Sequence, residues 1–336
     1  MTAKVGLYIG SGAQRGAPLE CQRYLLNELK GKDPDFEIVP VRHGKTNGLD
    51  MIHIPWIPTR LRDMIRNLRV KKVVSHVHGN LMFTDPHLSA HKGWKRRWKI
   101  YTNRLSRDGI DHFMPVSHFV GGTLESNLGI TADKYKVVYN GINDAFFSDA
   151  DDELPLDDEP YILHVSQYAP KKNVGTLLEA YRGLMEDGIE HRLLIVGGGH
   201  KGGPTSEMVR HLGLEDNVAV VGRVPLNDLV HFYRHADLMV FPSLHETFGL
   251  PIIEAMASGC PVITSLKAAI PEVGGDAAIY VDPMNSANLK RTIREVLEDP
   301  HLMRRMVLRG YERAELFTWP RAAQNVLSVY RKVMAE

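Results

Sequence analysis

Short apolar runs alternate with amphipathic stretches along almost the whole chain. The runs are rich in β-branched residues and lack strict alternation of apolar and polar positions, which is typical of parallel strands covered by helices on both faces. They are KVGLYIG (4–10), FEIVPV (36–41), DMIHI (50–54), KKVVSHV (71–77), HFMPVS (112–117) and YKVVYN (135–140), then YILHVS, RLLIVGG, NVAVVG, DLMVFPS, PVITS and AAIYV. Helical periodicity lies between them, as in APLECQRYLLNELK and TRLRDMIRNLR. The pattern predicts an α/β fold built from doubly wound parallel sheets.

An acidic stretch interrupts this pattern near the middle of the chain. Residues 148–160, SDADDELPLDDEP, hold seven acidic residues in thirteen and no apolar periodicity, as expected of a solvated linker. Since 336 residues are many for one hydrophobic core, we predict two Rossmann-like domains on either side of it, at 1–147 and 161–318. Two such domains facing one another form a cleft at the carboxyl ends of their strands, where open parallel sheets bind ligands.

Composition and charge exclude several classes of protein. With 41 basic and 40 acidic residues the chain has no global positive field, which argues against nucleic acid as a partner. Its two cysteines, Cys21 and Cys260, are too few for a disulfide framework and suit a reducing compartment. No apolar run approaches the roughly 20 residues that span a bilayer, and the first residues lack the apolar core of a secretory signal. We therefore expect a cytoplasmic protein.

A glycine-rich turn follows the strand RLLIV. GGGHKG, from Gly197 to Gly202, matches the G-x-G-x-x-G fingerprint of dinucleotide-binding folds. That fold requires an acidic residue at the end of the next strand, whereas Asp216 precedes the strand NVAVVG, and Pro204 interrupts the expected helix start. We favour a tight, close-packed turn in a different nucleotide-binding fold over an NAD site.

Candidate metal ligands are scattered along the sequence. His76 and His78 form an H-x-H pair on one face of a strand, and such pairs do bind metals. His87 and His91 fall in a predicted loop, and the two D-x-D triplets, DPD and DAD, do not lie at the carboxyl end of a strand. We expect no metal and no cofactor, and we place one histidine, His78, at the carboxyl end of its strand facing the cleft.

The segment GWKRRWKIYTNR (93–104) interleaves tryptophans with cations. On a helix Trp94 and Trp98 share a face. The segment also carries four cations, Lys95, Arg96, Arg97 and Lys99. One interpretation packs both rings on the sheet of their own domain with the cations in water, and we favour it. The other is a peripheral contact with a membrane surface through Trp94–Lys99, because Trp and Lys or Arg together suit the headgroup region.

The stretch SLHETFGLPIIEAMASGCPVITS (243–265) combines two carboxylates with an anion site. It follows the strand DLMVFPS, and a helix begins near Pro251, so the helix N-terminus offers unbonded N–H groups and a positive dipole end. Gly249 permits close approach of a phosphate to the main chain. Glu246 and Glu254 flank this site and would repel a bare phosphate, but carboxylates accept hydrogen bonds from paired hydroxyls. A ligand with diol, diphosphate and diol in order is a nucleotide sugar.

On these residues, ETFGLPIIEAMASGCPVI resembles the E-x7-E signature of retaining GT-B glycosyltransferases of family 4. The likeness extends to VSQYAPKKNVGTLLEAY, VGRVPLNDLVHFYRHADLMVFPS, PEVGGDAAIYVDP and FTWPRAAQNVLSVYRKV, and so covers the C-terminal half. It is looser in the N-terminal half, at GSGAQRG, DMIH, HVHG, PVS and YNGIN. The resemblance implies an acceptor-binding domain at 1–147, a nucleotide-sugar-binding domain at 161–318, and a last helix at 319–336 that packs back on the N-terminal domain.

Each matching position implies a role for one residue of this chain. The implied catalytic residues are His78 beside the anomeric carbon, Glu246 on the hexose hydroxyls and Lys172 on the diphosphate. Glu254 is implied to bind the ribose. The other implied donor-binding positions are Gly12 against the phosphates, Gln167, the main chain of Arg223 and Val224 at the base, and the N–H groups of Phe248, Gly249 and Leu250 at the hexose.

One position departs from the family pattern. The family usually has an arginine where this chain has Gln167, which weakens the expected hold on the diphosphate, and Arg15 in the glycine loop is a candidate to compensate. We expect a metal-independent, retaining hexosyltransferase that needs no cofactor and uses a nucleotide sugar as donor. A GT-B epimerase or phosphorylase and a non-catalytic sugar-nucleotide-binding subunit stay open as alternatives.

The donor and the acceptor are less closely defined. GDAAIYVDP resembles the corresponding region of mannosyltransferases, which favours GDP-mannose over a UDP-hexose. The base itself is read mostly by main chain, so side-chain identities say little about it. The acceptor is open among a glycan, a lipid-linked sugar and a small molecule.

Overall fold

The computed structural model describes residues 2–10, 17–42, 46–56, 70–79, 93–148 and 159–336. These residues form two compact units, one made of Met1–Gly141 with Phe317–Glu336 and the other of Ile142–Leu316. Each unit contains a parallel sheet flanked by helices, as the alternating pattern predicts. The chain passes from the first unit to the second after Gly141, ahead of the acidic stretch, whose residues 149–158 lie outside the described ranges.

Five parallel strands form the sheet of the first unit. They are β1 (Ala3–Tyr8), β2 (Phe36–Val41), β3 (Met51–Ile54), β4 (Lys72–Val77) and β5 (His112–Pro115). Their order in space is β2-β1-β3-β4-β5. Val5 of β1 lies opposite Ile38 on one side and Met51 on the other, and all three side chains are buried. Burial on both faces explains why these runs are apolar throughout instead of alternating.

Two predicted elements of this half are not seen as strand or helix. The run at 135–140 forms no strand, and among the described residues it makes one isolated bridge, at Tyr135. The amides of Lys136 and Val138 donate to carbonyls of β5 at 3.0 and 2.9 Å. The predicted sixth strand is therefore wrong, because the segment accompanies β5 without forming a continued ladder. The helix predicted at 59–69 lies outside the described residues.

The described helices of the first unit are α1 (Ala17–Leu29), α2 (Gly93–Arg107) and α3 (His118–Leu128), with a short 3-10 helix at Ala132–Lys134 and the last helix at Trp319–Ala335. The last helix packs against α1 and places Val326 and Tyr330 fully inside the core of the first unit. The backbone of Gly141 packs directly against the first residue of this last helix. A Cβ on Gly141 would lie 2.3 Å from the amide nitrogen of Trp319.

The tryptophans of α2 do not pack on the sheet. Trp94 is 72% exposed and Trp98 is 62% exposed. The interpretation that buries both rings is therefore wrong. On the other side of the helix, Asn103 and Ser106 are the buried residues among the α2 side chains that the structure describes. None of the helices in the described ranges combines the length and the apolar character needed to cross a bilayer.

Six parallel strands form the sheet of the second unit. They are β6 (Tyr161–Val165), β7 (Arg192–Val196), β8 (Val218–Gly222), β9 (Leu238–Phe241), β10 (Val262–Ser265) and β11 (Ala278–Val281). Their order is β11-β10-β9-β6-β7-β8, so the chain builds outward from β6 to β8 and then returns to β9 on the other side of β6. The carboxyl ends of β6 and β9 flank this reversal, which is where open parallel sheets form a crevice for ligands.

The helices of this unit are α4 (Val174–Glu186), α5 (Pro204–His211), α6 (Leu226–His235), α7 (Leu250–Ala257), α8 (Ile270–Gly274), α9 (Ser286–Leu297) and α10 (Pro300–Ala314), with short 3-10 helices at Asp144–Phe147 and Pro170–Lys172. The start of α5 at Pro204 corrects the expectation that this proline interrupts the helix. A proline at the first helical position lacks only an N–H that would have no intrahelical partner.

Candidate active site

Hydrogen bonds connect two loops at the carboxyl edge of the second sheet, the loop after β6 and the loop after β9. Asn173 has a left-handed backbone with φ of 57°, and its side-chain amide donates to the carbonyls of Pro242 and Pro283 at 3.2 and 2.6 Å. The amide of Leu244 donates to the carbonyl of Lys171 at 2.7 Å. The bonds with Pro242 and Leu244 hold the lysine-bearing loop against the segment that follows β9, and the bond to Pro283 ties it to the segment that follows β11.

Glu246 is the centre of a buried charge cluster in this corner. The residue is 7% exposed, and the Nζ of Lys172 lies 2.6 Å from its Oε1. The Nζ of Lys171 lies 3.4 Å from its Oε2, and the hydroxyl of Ser243 donates to Oε1 at 2.7 Å. The ammonium of Lys172 also lies 4.9 Å from the centre of the Phe241 ring. The acid and the base that are implied to bind different parts of a donor are therefore in direct contact.

Burial and mutual attraction set the charges of this cluster. Burial raises the pKa of Glu246, but Lys172, Lys171 and the Ser243 hydroxyl lower it by more, so the net direction is downward. Burial lowers the pKa of Lys172, and the contact with Glu246 opposes that change. Glu246 is thus held as a carboxylate, which is the form that accepts hydrogen bonds from sugar hydroxyls.

Helix α7 begins beside this cluster, and no side chain caps it. Its N-cap is Gly249, with φ of 112°, a conformation that L side chains rarely adopt. Phe248 before it is buried, and Leu250 is the first helical residue. The first-turn N–H groups therefore have no capping side chain, and the positive end of the helix dipole adds to their attraction for an anion.

Glu254 lies about one turn inside α7 and is held by a tyrosine of α6. The fully buried Tyr233 donates its hydroxyl to Oε2 of Glu254 at 3.1 Å. Burial raises the pKa of Glu254 to about 7, although the Tyr233 hydrogen bond and the charge of Lys172 both oppose the rise. The two glutamates of the E-x7-E motif therefore differ, because Glu246 is ionised and Glu254 is close to half protonated at neutral pH.

The glycine turn after β7 packs tightly on the end of β6. Gly197 has φ of 131°, and a Cβ there would lie 1.8 Å from the carbonyl oxygen of Ser166. His200 of the same turn is fully buried, and its ring bonds the Ser166 carbonyl at 2.9 Å and the Thr205 hydroxyl at 2.8 Å. The turn is the close-packed structure that the sequence predicts, and its contacts serve to position the ends of β6 and β7.

The other implied donor-binding residues are at the carboxyl ends of strands where the structure describes them. Gln167 is exposed two residues after the end of β6. Arg223 is exposed directly after β8, with its guanidinium beside the glycine turn, and Val224 is half-buried next to it. Gly12 and Arg15 lie outside the described residues.

In the first unit, three histidine rings lie side by side, tilted to one another, at the carboxyl ends of β3 and β4. The ring centres of His53 and His76 are 5.5 Å apart, and those of His76 and His78 are 4.7 Å apart. His53 bonds the hydroxyl of Tyr330 at 2.7 Å. Burial lowers the pKa of all three histidines, that of His76 to about 4, so the rings are neutral at pH 7. His78 thus lies at the carboxyl edge of its own sheet, whereas the glutamate and lysine positions belong to the second unit.

The other candidate metal ligands are structural or lie outside the described residues. Among the residues that the structure describes, no three His, Cys, Asp or Glu side chains are grouped so as to hold a metal ion. In the DPD triplet, Asp33 accepts from the amide of Asp35 at 2.9 Å and pairs with Arg331. The DAD triplet at 149–151 lies outside the described residues, as do His87 and His91.

Three residues of the site have little signal in the sequence, namely Lys171, Ser243 and Tyr233. Lys171 is noticeable only as the neighbour of Lys172, and Ser243 only as the residue that ends the strand segment DLMVFPS. Tyr233 is 21 residues from Glu254 and on a different helix, so no spacing rule connects the two.

Two family models match the chain in succession. The Glycosyltransferase Family 4 model matches residues 10–146, and the Glycosyl transferases group 1 model matches residues 147–313. The chain belongs to glycosyltransferase family 4. The match confirms the family resemblance seen in the E-x7-E stretch. One of the two models matches the N-terminal half of the chain and the other matches the C-terminal half.

Named relatives and a solved structure agree with this family. O-antigen chain mannosyltransferase B of Escherichia coli is 33% identical over 173 residues, 51% of this chain and 45% of that protein. MMP alpha-(1->4)-mannosyltransferase of Mycolicibacterium hassiacum is 29% identical over 260 residues, 74% of this chain and 62% of that protein. The chain therefore spans 45–62% of the length of these curated relatives. The structure of HepE from Anabaena with UDP and glucose has a TM-score of 0.76 at 16% identity, covering 98% of this chain and all of that one, and it shows the same GT-B fold.

Proposed function

We propose that the protein is a retaining, metal-independent glycosyltransferase that moves a hexose from a nucleoside-diphosphate sugar to an acceptor hydroxyl. The observation that carries the proposal is the corner after β6 and β9, where Glu246, Lys172, the uncapped start of α7 and Glu254 lie together. Each has a partner on such a donor: a carboxylate for the hexose hydroxyls, an ammonium and a helix start for the diphosphate, and a second carboxyl for the ribose diol.

In the proposed reaction the bond from the anomeric carbon to the diphosphate oxygen breaks, and the acceptor oxygen bonds to that carbon on the same face. The departing diphosphate takes the acceptor's proton, so no enzymic nucleophile is required. Negative charge grows on the leaving oxygen, where Lys172 and the first turn of α7 stabilise it. Because the Lys172 ammonium already lies 2.6 Å from Glu246, it links the sugar-binding carboxylate to the leaving group.

Lys171 is our candidate to offset the family arginine that Gln167 replaces. Its ammonium lies 3.4 Å from Glu246, which brings a second cation to the corner where the diphosphate is proposed to bind. Gln167 follows the end of β6 with an exposed side chain, so it keeps a hydrogen-bonding group at that edge without a charge. Arg15 stays a candidate for the same role.

We assign His78 the place beside the anomeric carbon and the acceptor, with the first unit as the acceptor-binding domain. Burial lowers the pKa of His78, and the neighbouring ring of His76 lowers it further. A neutral imidazole puts no positive charge next to an anomeric centre that itself becomes positive in an oxocarbenium-like transition state.

We favour GDP-mannose as the donor, with a UDP-hexose as the rival. Two relatives named as mannosyltransferases support the first, and the UDP-bound HepE structure supports the second. The acceptor is a glycan, a lipid-linked sugar or a small molecule. We place the protein in the cytoplasm with a peripheral membrane contact through Trp94–Lys99.

The test is release of nucleoside diphosphate by the purified protein with GDP-mannose, UDP-glucose or UDP-N-acetylglucosamine, followed by the anomeric configuration of the product. We expect turnover of one donor, retention of configuration, and loss of turnover in Lys172→Ala and Glu246→Gln. Lys267→Ala is the matched control, because it removes an exposed lysine of the same unit. Donor binding without turnover would identify a non-catalytic binding subunit. An epimerised sugar nucleotide or a sugar phosphate as product would identify the epimerase or phosphorylase alternative.

A further inference from the structure

Helix α2 presents an apolar stripe to solvent. Trp94, Trp98, Tyr101 and Leu105 are exposed to 72%, 62%, 53% and 53%. Their spacing of four, three and four residues brings them into one narrow sector of the helix, because one turn takes 3.6 residues. The ring centres of Trp98 and Tyr101 are 5.9 Å apart. A contiguous stripe of this kind differs from the scattered surface hydrophobics that are normal in soluble proteins.

Among the α2 side chains that the structure describes, those buried against the first unit are polar. Asn103 is 1% exposed and Ser106 is 4% exposed. The Nε of Arg104 and the guanidinium of Arg107 donate to carbonyls at the C-terminal end of α3. A surface helix ordinarily turns its apolar face inward, so the described side chains of α2 show the inverse arrangement. The large apolar side chains of the stripe are each more than half exposed.

The same helix is strongly basic. Of the fifteen residues in Gly93–Arg107, six are Lys or Arg and none is acidic. The whole chain has a formal net charge of +1, so this excess is local. Aromatic rings in one sector with many cations on the same helix complement an anionic lipid surface, whose interface accepts rings at the acyl boundary and cations at the headgroups. A nucleic acid would pair with the cations through its phosphates, but it would offer no apolar surface to Leu105 and the rest of the stripe.

The stripe begins near the sheet edge to which we assign the acceptor. Helix α3 starts directly after the carboxyl end of β5, with Ser117 as its N-cap. The C-terminal turn of α2 bonds the C-terminal end of α3, and α2 ends shortly before β5 begins, so the C-terminal ends of both helices lie toward the amino edge of the sheet. The first turn of α2, with Trp94, therefore lies toward the carboxyl edge of the first sheet, where His78 follows β4.

We propose that the face of α2 formed by Trp94, Trp98, Tyr101 and Leu105 docks the protein on an anionic bilayer surface. The rings and Leu105 enter the boundary between headgroups and acyl chains, and the cations of the helix contact anionic headgroups. Docking lays α2 along the lipid surface, with its Trp94 end toward the carboxyl edge of the first sheet, to which we assign a lipid-linked acceptor. That consequence rests on the proposed function, whereas the docking depends on the helix alone.

Sedimentation with vesicles tests the docking without donor or acceptor. We expect the wild-type protein to partition onto vesicles of phosphatidylcholine mixed with phosphatidylglycerol at low salt. Binding to pure phosphatidylcholine should be much weaker, and binding to the mixed vesicles should fall as salt rises. The double substitution Trp94→Gln with Trp98→Gln should lower the partition coefficient on the order of a hundredfold through lost apolar transfer.

A second variant separates the charges from the rings. Replacing the four cations of the first two turns by glutamine should lower the partition coefficient on the order of a thousandfold, since each basic residue contributes separately. These substitutions are Lys95→Gln, Arg96→Gln, Arg97→Gln and Lys99→Gln. Arg104 and Arg107 stay unchanged because they hold the end of α3.

Helix α10 supplies the matched control. It carries an exposed leucine and two exposed arginines, so the combination Leu308→Gln, Arg304→Gln and Arg305→Gln removes the same kinds of side chain from the second unit. This control should bind vesicles as the wild type does, and all variants should keep the wild-type rate of donor hydrolysis.

Three outcomes would overturn the docking. They are a wild-type protein that binds neither vesicle, full binding by both α2 variants, and binding to an RNA oligonucleotide with none to vesicles. Vesicle binding without donor turnover would support the docking and count against the proposed function alone.

Discussion

Lowering the pH from about 8 to about 6 should weaken nucleotide-sugar binding through protonation of Glu254. Burial raises the pKa of this carboxyl to about 7, and the Tyr233 hydroxyl and the charge of Lys172 oppose the rise only in part. The proposed ribose diol donates its O–H groups. An ionised carboxylate accepts hydrogen bonds at both oxygens, whereas a protonated one carries a competing donor. The ionised form is therefore the one that binds, and its population grows as the pH rises through 7.

The size of the effect follows from the position of this pKa. With a value of about 7, the ionised fraction is roughly nine tenths at pH 8 and roughly one tenth at pH 6. The apparent association constant should therefore fall about tenfold over this interval, equivalent to about 1.4 kcal/mol. The neighbouring groups should not produce the same pH dependence of binding. Burial raises the pKa of Tyr233 well above its usual value, and Lys172 stays paired with the ionised Glu246.

Isothermal titration calorimetry with an intact nucleotide sugar measures this dependence. The intact donor is preferable to the nucleoside diphosphate, because its diphosphate is esterified at both ends and has no ionisation near neutrality. Glu254→Gln is the matched variant, since it keeps the shape of the side chain and removes the titration, and its affinity should be constant across the range. Equal pH dependence in the wild type and in Glu254→Gln, or tighter binding at acid pH, would refute the assignment of Glu254 to the ribose.

Glu254→Ala should lower the affinity for donor and nucleoside diphosphate alike by roughly 10- to 150-fold, because a charge-assisted diol contact contributes about 1.5–3 kcal/mol; unchanged diphosphate binding by calorimetry would contradict it. Glu246→Ala should abolish transfer while nucleoside diphosphate affinity stays within a few-fold, and an equally steep loss of that affinity would mean that the two roles are wrongly divided. Transfer should persist in EDTA; complete loss that Mg²⁺ or Mn²⁺ restores would instead point to a metal site. Acid should destabilise the first unit, because burial lowers the pKa of His76 to about 4 from the ordinary histidine value of 6.5. The unfolded state then binds the proton first, so stability present above pH 6.5 is lost as the pH falls toward 4, by up to about 3 kcal/mol. Denaturant unfolding should show a smaller loss in His76→Gln, and an equal loss in both proteins would contradict the expectation.

The local pattern of apolar residues predicts the strands of this protein well. All of its apolar runs but one form strands in the described structure, eleven in total, because a run buried on both faces of a sheet must be apolar whatever its partners are. YKVVYN at 135–140 is the exception. Its composition is that of a strand, but composition carries no information on whether a neighbour continues the ladder.

The candidate site is divided between local and distant information. The spacing of Glu246 and Glu254 around Gly249 is local, so the sequence predicts a helix start with two flanking carboxylates. The contact of Lys172 with Glu246 joins residues 74 positions apart. It depends on β6 and β9 being neighbours in the sheet, which is a property of the strand order. The different protonation of the two glutamates likewise arises from what each is buried against, and no spacing predicts it.

Helix α2 shows most clearly where sequence information ends. The period of its residues establishes from the sequence that Trp94 and Trp98 share a face and that the helix is basic. The same period describes a stripe that packs on a sheet and a stripe that faces water, because periodicity defines a face and not its surroundings. Burial of Asn103 and Ser106 against the first unit leaves the tryptophans exposed. That choice is made by the contacts of α2 with its neighbours, which form only when the whole unit folds.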